Sequence, residues 1–79
     1  MLHRGPVEVD RKNVVSSNLD SVGYDALTQT LEIRFKNGSI YQYADVPLHV
    51  HLELMNAPSK GQFLARTIKG VYRYRRVPG

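Results

Sequence analysis

Hydrophobic and polar residues alternate most clearly in the first half of the chain. In residues 30–36, leucine, isoleucine and phenylalanine alternate with charged residues, which is the period-two pattern of a half-buried β-strand. Residues 19–25 before this segment and residues 39–44 after it show shorter versions of the same pattern. Because short turns join the three segments, we expect a three-stranded antiparallel meander.

The turn between the second and third strands leaves two pairings open. It contains an Asn-Gly pair, the strongest short-range hairpin signal. A two-residue turn places Ile40 and Gln42 beside the apolar face of the preceding strand. A three-residue loop with Gly38 in a bulge places Tyr41 and Tyr43 there instead. We favour the three-residue loop, because two tyrosines bury more apolar surface.

The second half of the chain changes to helical spacing. Pro47 suits the first turn of a helix, because its missing N–H group is not needed there, and the helical pattern ends near Asn56. Ser59 and Gln62 form a capping-box pair that begins a second short helix, and Gly70 is suited to end it. The apolar residues expected to line one face of the first helix are Leu48, Val50, Leu52, Leu54 and Met55.

Alternation returns in residues 71–77, which predicts a C-terminal strand. The predicted fold class is therefore α+β, with a three-stranded antiparallel meander, two short helices and a C-terminal strand in the order β-β-β-α-α-β. Residues 1–13 lack a sustained period and are expected to form an N-terminal tail, in which the alternation of residues 7–10 allows an edge strand. Residues 14–79 are expected to form a single domain.

Composition narrows the expected cellular setting. The chain has no cysteine, so disulfides and thiolate chemistry are excluded and a reducing compartment fits. No apolar run approaches the ~18–20 residues that a membrane span needs. The N-terminal residues also lack the apolar segment of a secretory signal. We expect a cytoplasmic protein with no membrane partner.

Patterns typical of catalysis and metal binding are missing from the sequence. Its seven acidic residues are scattered, and no nucleophile, base and orienting group stand at a suggestive spacing. His49 and His51 point about 200° apart on a helix, so they do not share a metal ion. We expect no catalytic residues, no metal site and no cofactor, and we predict that the chain is not an enzyme.

The charge balance points to an anionic partner. Eleven Lys and Arg residues against seven Asp and Glu residues give a net charge of +4, with a pI near 9.7. A basic balance favours nucleic acid or a phosphorylated small molecule as the partner, although it also serves solubility.

The start of the second helix is one candidate anion site. Ser59, Lys60 and Gly61 offer a hydroxyl, an ammonium group and free backbone N–H groups at the positive end of a helix dipole. Arg66 and Lys69 lie three residues apart on one helical face and add positive charge. The alternative is that Ser59 only caps the helix and the cations face solvent.

The predicted C-terminal strand is the other candidate. It interleaves aromatic and basic residues: Tyr72, Arg73, Tyr74, Arg75 and Arg76. Alternation places the two tyrosines on one face, with Arg73 and Arg75 on the other. Bases stack on such rings while arginines contact phosphates, so the pattern favours RNA. The alternative is that the tyrosines pack against the helices.

Several short segments occur in an order that resembles a known family. They are Gly23-Tyr24-Asp25, Leu31-Glu32-Ile33-Arg34-Phe35 with Gly38, Tyr41-Gln42-Tyr43 before Val46-Pro47, Ala57-Pro58-Ser59-Lys60-Gly61-Gln62-Phe63, and Ile68 with Tyr72-Arg73-Tyr74. In order and spacing they resemble the KTSC domain, a small module found alone and at the C-terminus of some lysyl-tRNA synthetases. The resemblance implies the β-β-β-α-α-β fold, no catalytic activity, and nucleic-acid binding by association with the synthetase.

Three functions remain open from the sequence. The favoured one is a non-catalytic nucleic-acid-binding module, with tRNA or single-stranded RNA as its partner. The second is a binder of a nucleotide or another small phosphorylated anion, acting as a sensor or sequestering protein, with its site at Ser59, Lys60 and Gly61. The third is a protein–protein adaptor in which residues 7–10 add a strand to a sheet, so that the chain is a monomer or a homodimer.

Overall fold

The computed structural model describes residues 8–78, which form five strands and two helical stretches. The strands are β1 (Arg11–Asn13), β2 (Leu19–Asp25), β3 (Thr30–Phe35), β4 (Ile40–Tyr43) and β5 (Tyr74–Val77). The first helix is α1 (Leu48–Asn56). The second, α2 (Lys60–Phe63), continues directly into a π-helical turn, Leu64–Ile68, called here the π segment.

The five strands form one antiparallel sheet in the order β1-β2-β3-β4-β5. This confirms the α+β class but corrects the three-stranded meander, which is the centre of a larger sheet. β1 adds one edge although its three residues are all polar and show no alternation. β5 adds the other edge by pairing with β4 after both helices. Neither pairing follows from local sequence, because both depend on tertiary contacts.

The hairpin between β3 and β4 has the register of the three-residue loop. Leu31 pairs with Tyr43 and Ile33 pairs with Tyr41, and the Phe35 N–H donates to the Ser39 carbonyl at 2.9 Å. Gly38 has a φ of 93°, the left-handed conformation that the bulge of such a loop requires. The favoured prediction is confirmed, and both tyrosines lie on the apolar face of the sheet.

The core lies between this face of the sheet and the two helices. Its sheet residues are Leu19, Val22, Leu31, Ile33 and Tyr43, and its remaining residues are Val46, Val50, Leu54, Leu64 and Ile68. The predicted apolar face of α1 is only half right, because Leu48 and Leu52 are about half exposed while Val50 and Leu54 are buried. A nine-residue helix presents a single stripe to the sheet, so the other apolar stripe remains outside.

The last strand begins at Tyr74, three residues later than predicted. Lys69 and Gly70 form a type II turn, in which Gly70 has a φ of 77° and the Val71 N–H donates to the Ile68 carbonyl at 3.1 Å. The Tyr72 N–H donates to the same carbonyl at 3.2 Å. Val71 and Tyr72 therefore belong to the turn that follows the π segment rather than to the sheet.

The other face of the sheet carries a buried polar network. Arg11 Nη1 lies 2.8 Å from Glu32 Oε2, and Gln42 Nε2 donates to Glu32 Oε1 at 2.7 Å. A Cβ atom on Gly23 would lie 2.2 Å from the Asp10 carbonyl oxygen, so the backbone before β1 passes directly over this position.

The expected edge strand of residues 7–10 is placed differently in the structure. Val7 lies outside the described residues, and residues 8–10 form no strand. Pairing with β2 begins at Arg11 instead. Within residues 8–78, neither helix has the length and apolar character needed to cross a bilayer.

Candidate functional site

A groove of about 760 Å³ opens between the apolar face of the sheet and the π segment. Its floor is aromatic and consists of Phe35, Tyr41, Tyr43 and Tyr74. The π segment contributes Leu64 and Ala65 to the opposite wall. We call this feature the aromatic groove. π-helical turns are rare and often occur at functional sites, because the extra residue changes which side chains project from the helix.

Strand pairing places the four rings in contact. Tyr43 pairs with Tyr74 across β4 and β5, and the Tyr41 and Tyr74 rings stack with centroids 5.0 Å apart and planes 10° apart. The Phe35 and Tyr41 rings meet in a T-shaped arrangement, with a centroid distance of 5.5 Å and an angle of 80°. Both arrangements are favoured by the charge distribution of aromatic rings. The result is an aromatic row that runs across three strands.

Exposure differs sharply along this row. Tyr43 is 1% exposed and Tyr74 is 60% exposed. Burial raises the pKa of Tyr43 to about 12, and the neighbouring Tyr41 and Tyr74 add to this shift. Tyr43 is therefore a core residue, whereas more than half of the Tyr74 side chain is open to the surroundings.

Three exposed cations lie on the same side of the sheet as the aromatic row. Lys36 and Lys69 line the groove, and Arg76 pairs with Tyr41, so its side chain projects from the groove face of β5. In the part of the chain that the structure describes, no Asp or Glu lines the groove. Within residues 8–78, Arg11 and Arg73 are the only cations that form ion pairs, and neither lines the groove. The groove therefore combines stacking surface with unpaired positive charge.

The residues of the candidate anion site at the start of the second helix have different surroundings in the structure. Ser59 Oγ accepts the Gln62 N–H at 3.3 Å, as the capping prediction requires. Lys60 Nζ donates to the Ala57 carbonyl at 3.2 Å, so its ammonium group is partly engaged within the chain. Gly61 lines the aromatic groove, and a Cβ atom added there would lie 3.3 Å from Asn18 Nδ2. The small-anion site at this helix start stays a prediction.

The two cations predicted further along the second helix, Arg66 and Lys69, do not both line the groove. Lys69 lines the aromatic groove, whereas Arg66 is exposed and lies outside the groove lining. The π segment continues to Ile68 with a wider turn than an α-helix, so α-helical spacing does not give the faces of these side chains.

The predicted C-terminal run is divided between the two faces of the sheet. Tyr74 lies on the groove face, while Arg75 pairs with Gln42 and projects from the opposite face. Arg73 precedes the strand, and its Nη2 atom lies 3.6 Å from Asp45 Oδ2 with both side chains largely exposed. Such a pair contributes little stability. Tyr72 is half-buried against the core, so it does not join Tyr74 in the groove.

The contributions of the β3–β4 hairpin to the site were not predicted from the sequence. Phe35, Lys36 and Tyr41 line the groove, yet they lie more than thirty residues before β5 in the chain. The signal that could have found them is the three-residue loop, which places Tyr41 on the same face as Phe35. The missing information was that β5 pairs with β4.

Neither His49 nor His51 lines the groove. Among residues 8–78, no three His, Asp or Glu side chains come together in a way that could hold a metal ion. The His51 ring stacks on Tyr24 with centroids 4.8 Å apart and planes 8° apart. Its Nδ1 atom is buried without a hydrogen-bond partner, and burial lowers the pKa of His51.

Known proteins match both the sequence and the fold. A lysine–tRNA ligase from Trichormus variabilis is 50% identical over 54 residues, which are 68% of this chain and 10% of the ligase. A protein of Stutzerimonas stutzeri described as uncharacterized is 41% identical over 63 residues, covering 78% of this chain and 89% of that protein. The chain therefore corresponds to a small part of the ligase but to nearly all of the second relative.

A solved structure shows the same architecture. The crystal structure of a KTSC domain protein from Yersinia pestis superposes with a TM-score of 0.85 at 40% identity, covering 90% of this chain and all of that one. The family model described as the KTSC domain matches residues 15–74. The resemblance drawn from the sequence is thus confirmed, and the chain belongs to the KTSC domain family.

Proposed function

We propose that this chain is a non-catalytic module that binds RNA through the aromatic groove. The observation that carries the proposal is the exposed Tyr74 ring, stacked on Tyr41, with Lys36, Lys69 and Arg76 on the same side of the sheet. Aromatic surfaces stack with bases, and cations beside them contact phosphates. No cofactor is required for this activity.

The relatives support RNA, and tRNA in particular, as the class of ligand. The ligases from Trichormus variabilis and from a Nostoc species are named for their action on tRNA, and they are 50% and 52% identical to this chain over 54 residues. The matched region is 10% of each ligase. A ligand shared with these enzymes would place the chain in the cytoplasm, where tRNA is charged.

The proposal is tested by titrating the full chain into fluorescently labelled tRNA and single-stranded RNA and following fluorescence anisotropy. We expect binding that weakens as salt rises, with a log–log slope of about −0.7 for each phosphate contacted on a single strand. Replacing Lys36 or Lys69 with alanine should weaken binding, because each cation lines the groove. Absence of binding to either RNA at low salt would contradict the proposal.

A further inference from the structure

We infer that the aromatic groove selects single-stranded RNA over duplex, because an unpaired base adds to the Tyr41–Tyr74 stack as its next layer. This inference rests on the proposed function and names the kind of RNA that the groove accepts. It depends on the exposed part of the Tyr74 ring, on the walls of the groove and on the donors at its rim.

Part of the Tyr74 ring is open for stacking. The Tyr41 ring stacks on it at a centroid distance of 5.0 Å and an angle of 10°, and the Tyr43 ring lies tilted beside it at 5.7 Å and 43°. Since Tyr74 is 60% exposed, much of its ring remains open to the surroundings. A planar base placed on it would continue the existing stack, and every base has a face that can do so.

A paired base does not reach this position. In a duplex the faces of each internal base are covered by its neighbours, and only the base edges are accessible in the grooves. Tyr74 lies within a groove whose far side is formed by Leu64, Ala65 and Gly70. A base must therefore leave its own stack before it contacts the ring, which only an unpaired nucleotide does at low cost.

The rim of the groove supplies donors that match a nucleotide. Asn37 Oδ1 accepts the Ser39 N–H at 3.0 Å, so the amide oxygen is engaged and the amide N–H groups remain for a ligand. The ammonium groups of Lys36 and Lys69 add further donors along the same groove. Phosphate oxygens and base carbonyls are the complementary acceptors, whereas a cationic ligand has no carboxylate to pair with here.

The test uses one twelve-nucleotide RNA, free and annealed to its complement, titrated with the full chain at one salt concentration. We expect the single strand to bind about tenfold or more tightly than the duplex. Tyr74→Ala should weaken single-strand binding by about tenfold and leave duplex binding unchanged. Tyr74→Phe keeps the ring and should keep the affinity. Because Tyr74 is largely exposed, neither variant is expected to unfold the chain.

Tyrosine fluorescence gives an independent readout of stacking. The chain has five tyrosines and no tryptophan, so a base on Tyr74 should quench tyrosine emission when the single strand binds. Tyr74→Phe should bind with less quenching. Equal affinity for the two RNAs, with no effect of Tyr74→Ala, would overturn this inference and leave RNA binding intact. Absence of binding to both RNAs would overturn the proposed function, and this inference with it.

Discussion

At the scale of single residues, His51 links the packing of α1 to solution pH. Its ring lies flat on Tyr24, and the Tyr24 hydroxyl donates to the Val46 carbonyl at 2.5 Å. Burial lowers the pKa of His51 below its ordinary value of 6.5. The neutral ring is therefore favoured in the folded protein, and the unfolded chain binds more protons as the pH falls.

Folding stability should consequently fall when the pH drops below about 6.5, and it should be fully retained above that value. His51→Phe keeps an aromatic ring on Tyr24 and removes the titrating group, so it should flatten this dependence. Urea denaturation across a pH series measures the effect. His49→Gln is the matched control, because His49 is exposed on the same helix. An unchanged pH profile in His51→Phe would show that this ring does not cause the effect.

Tyr43 should ionise only well above the ordinary pKa of a tyrosine. Burial raises its pKa to about 12, so the folded state favours the neutral phenol and stability should decline as the pH rises from about 10 towards 12. An ultraviolet titration of the five tyrosines should show this late step, and Tyr43→Phe should remove it. If that variant keeps the late step, the group responsible is another tyrosine.

At the scale of elements, the close passage of the chain over β2 depends on Gly23. A Cβ atom there would lie 2.2 Å from the Asp10 carbonyl oxygen and 2.8 Å from Val9 Cγ1. Gly23→Ala should therefore destabilise the protein by about 1–3 kcal/mol, because backbone has to move. Thermal denaturation measures the change.

Gly61→Ala is the control with the same change in side chain. A Cβ atom at Gly61 meets only the exposed Asn18 side chain, with Nδ2 at 3.3 Å, and alanine favours the helix by up to about 1 kcal/mol. We expect stability equal to or above that of the natural sequence. Equal losses in Gly23→Ala and Gly61→Ala would contradict the close contact with Asp10.

Strand alternation and turn residues predicted the elements that interactions between nearby residues determine. The alternation of β2 and β3 and the register of their neighbour β4 follow from strand period and turn chemistry. Which stripe of α1 faces the sheet could not be predicted, because Leu48 and Leu52 are as apolar as Val50 and Leu54. The pairing of β1 and β5 also depends on tertiary contacts that no short segment encodes.

At the scale of the whole molecule, the two faces of the sheet are chemically different. One face carries the aromatic groove with its unpaired cations. The other carries the polar network centred on Glu32, with Arg75 at the edge strand. Tyr74, Arg76 and Lys69 were predicted site residues, and the structure brings them to one face. Their partners Phe35 and Tyr41 were missed because they come from a distant part of the chain.

Arg75 and Arg76 provide the most direct test of the groove as the RNA-binding surface. They are adjacent, exposed and equally charged, yet they project from opposite faces of β5. We would measure the salt dependence of single-stranded RNA binding for the natural sequence, Arg76→Ala and Arg75→Ala. We expect Arg76→Ala to weaken binding and to reduce the log–log slope by about 0.7, while Arg75→Ala changes both much less. Equal effects of the two substitutions, or a larger effect of Arg75→Ala, would show that the groove is not the RNA-binding surface.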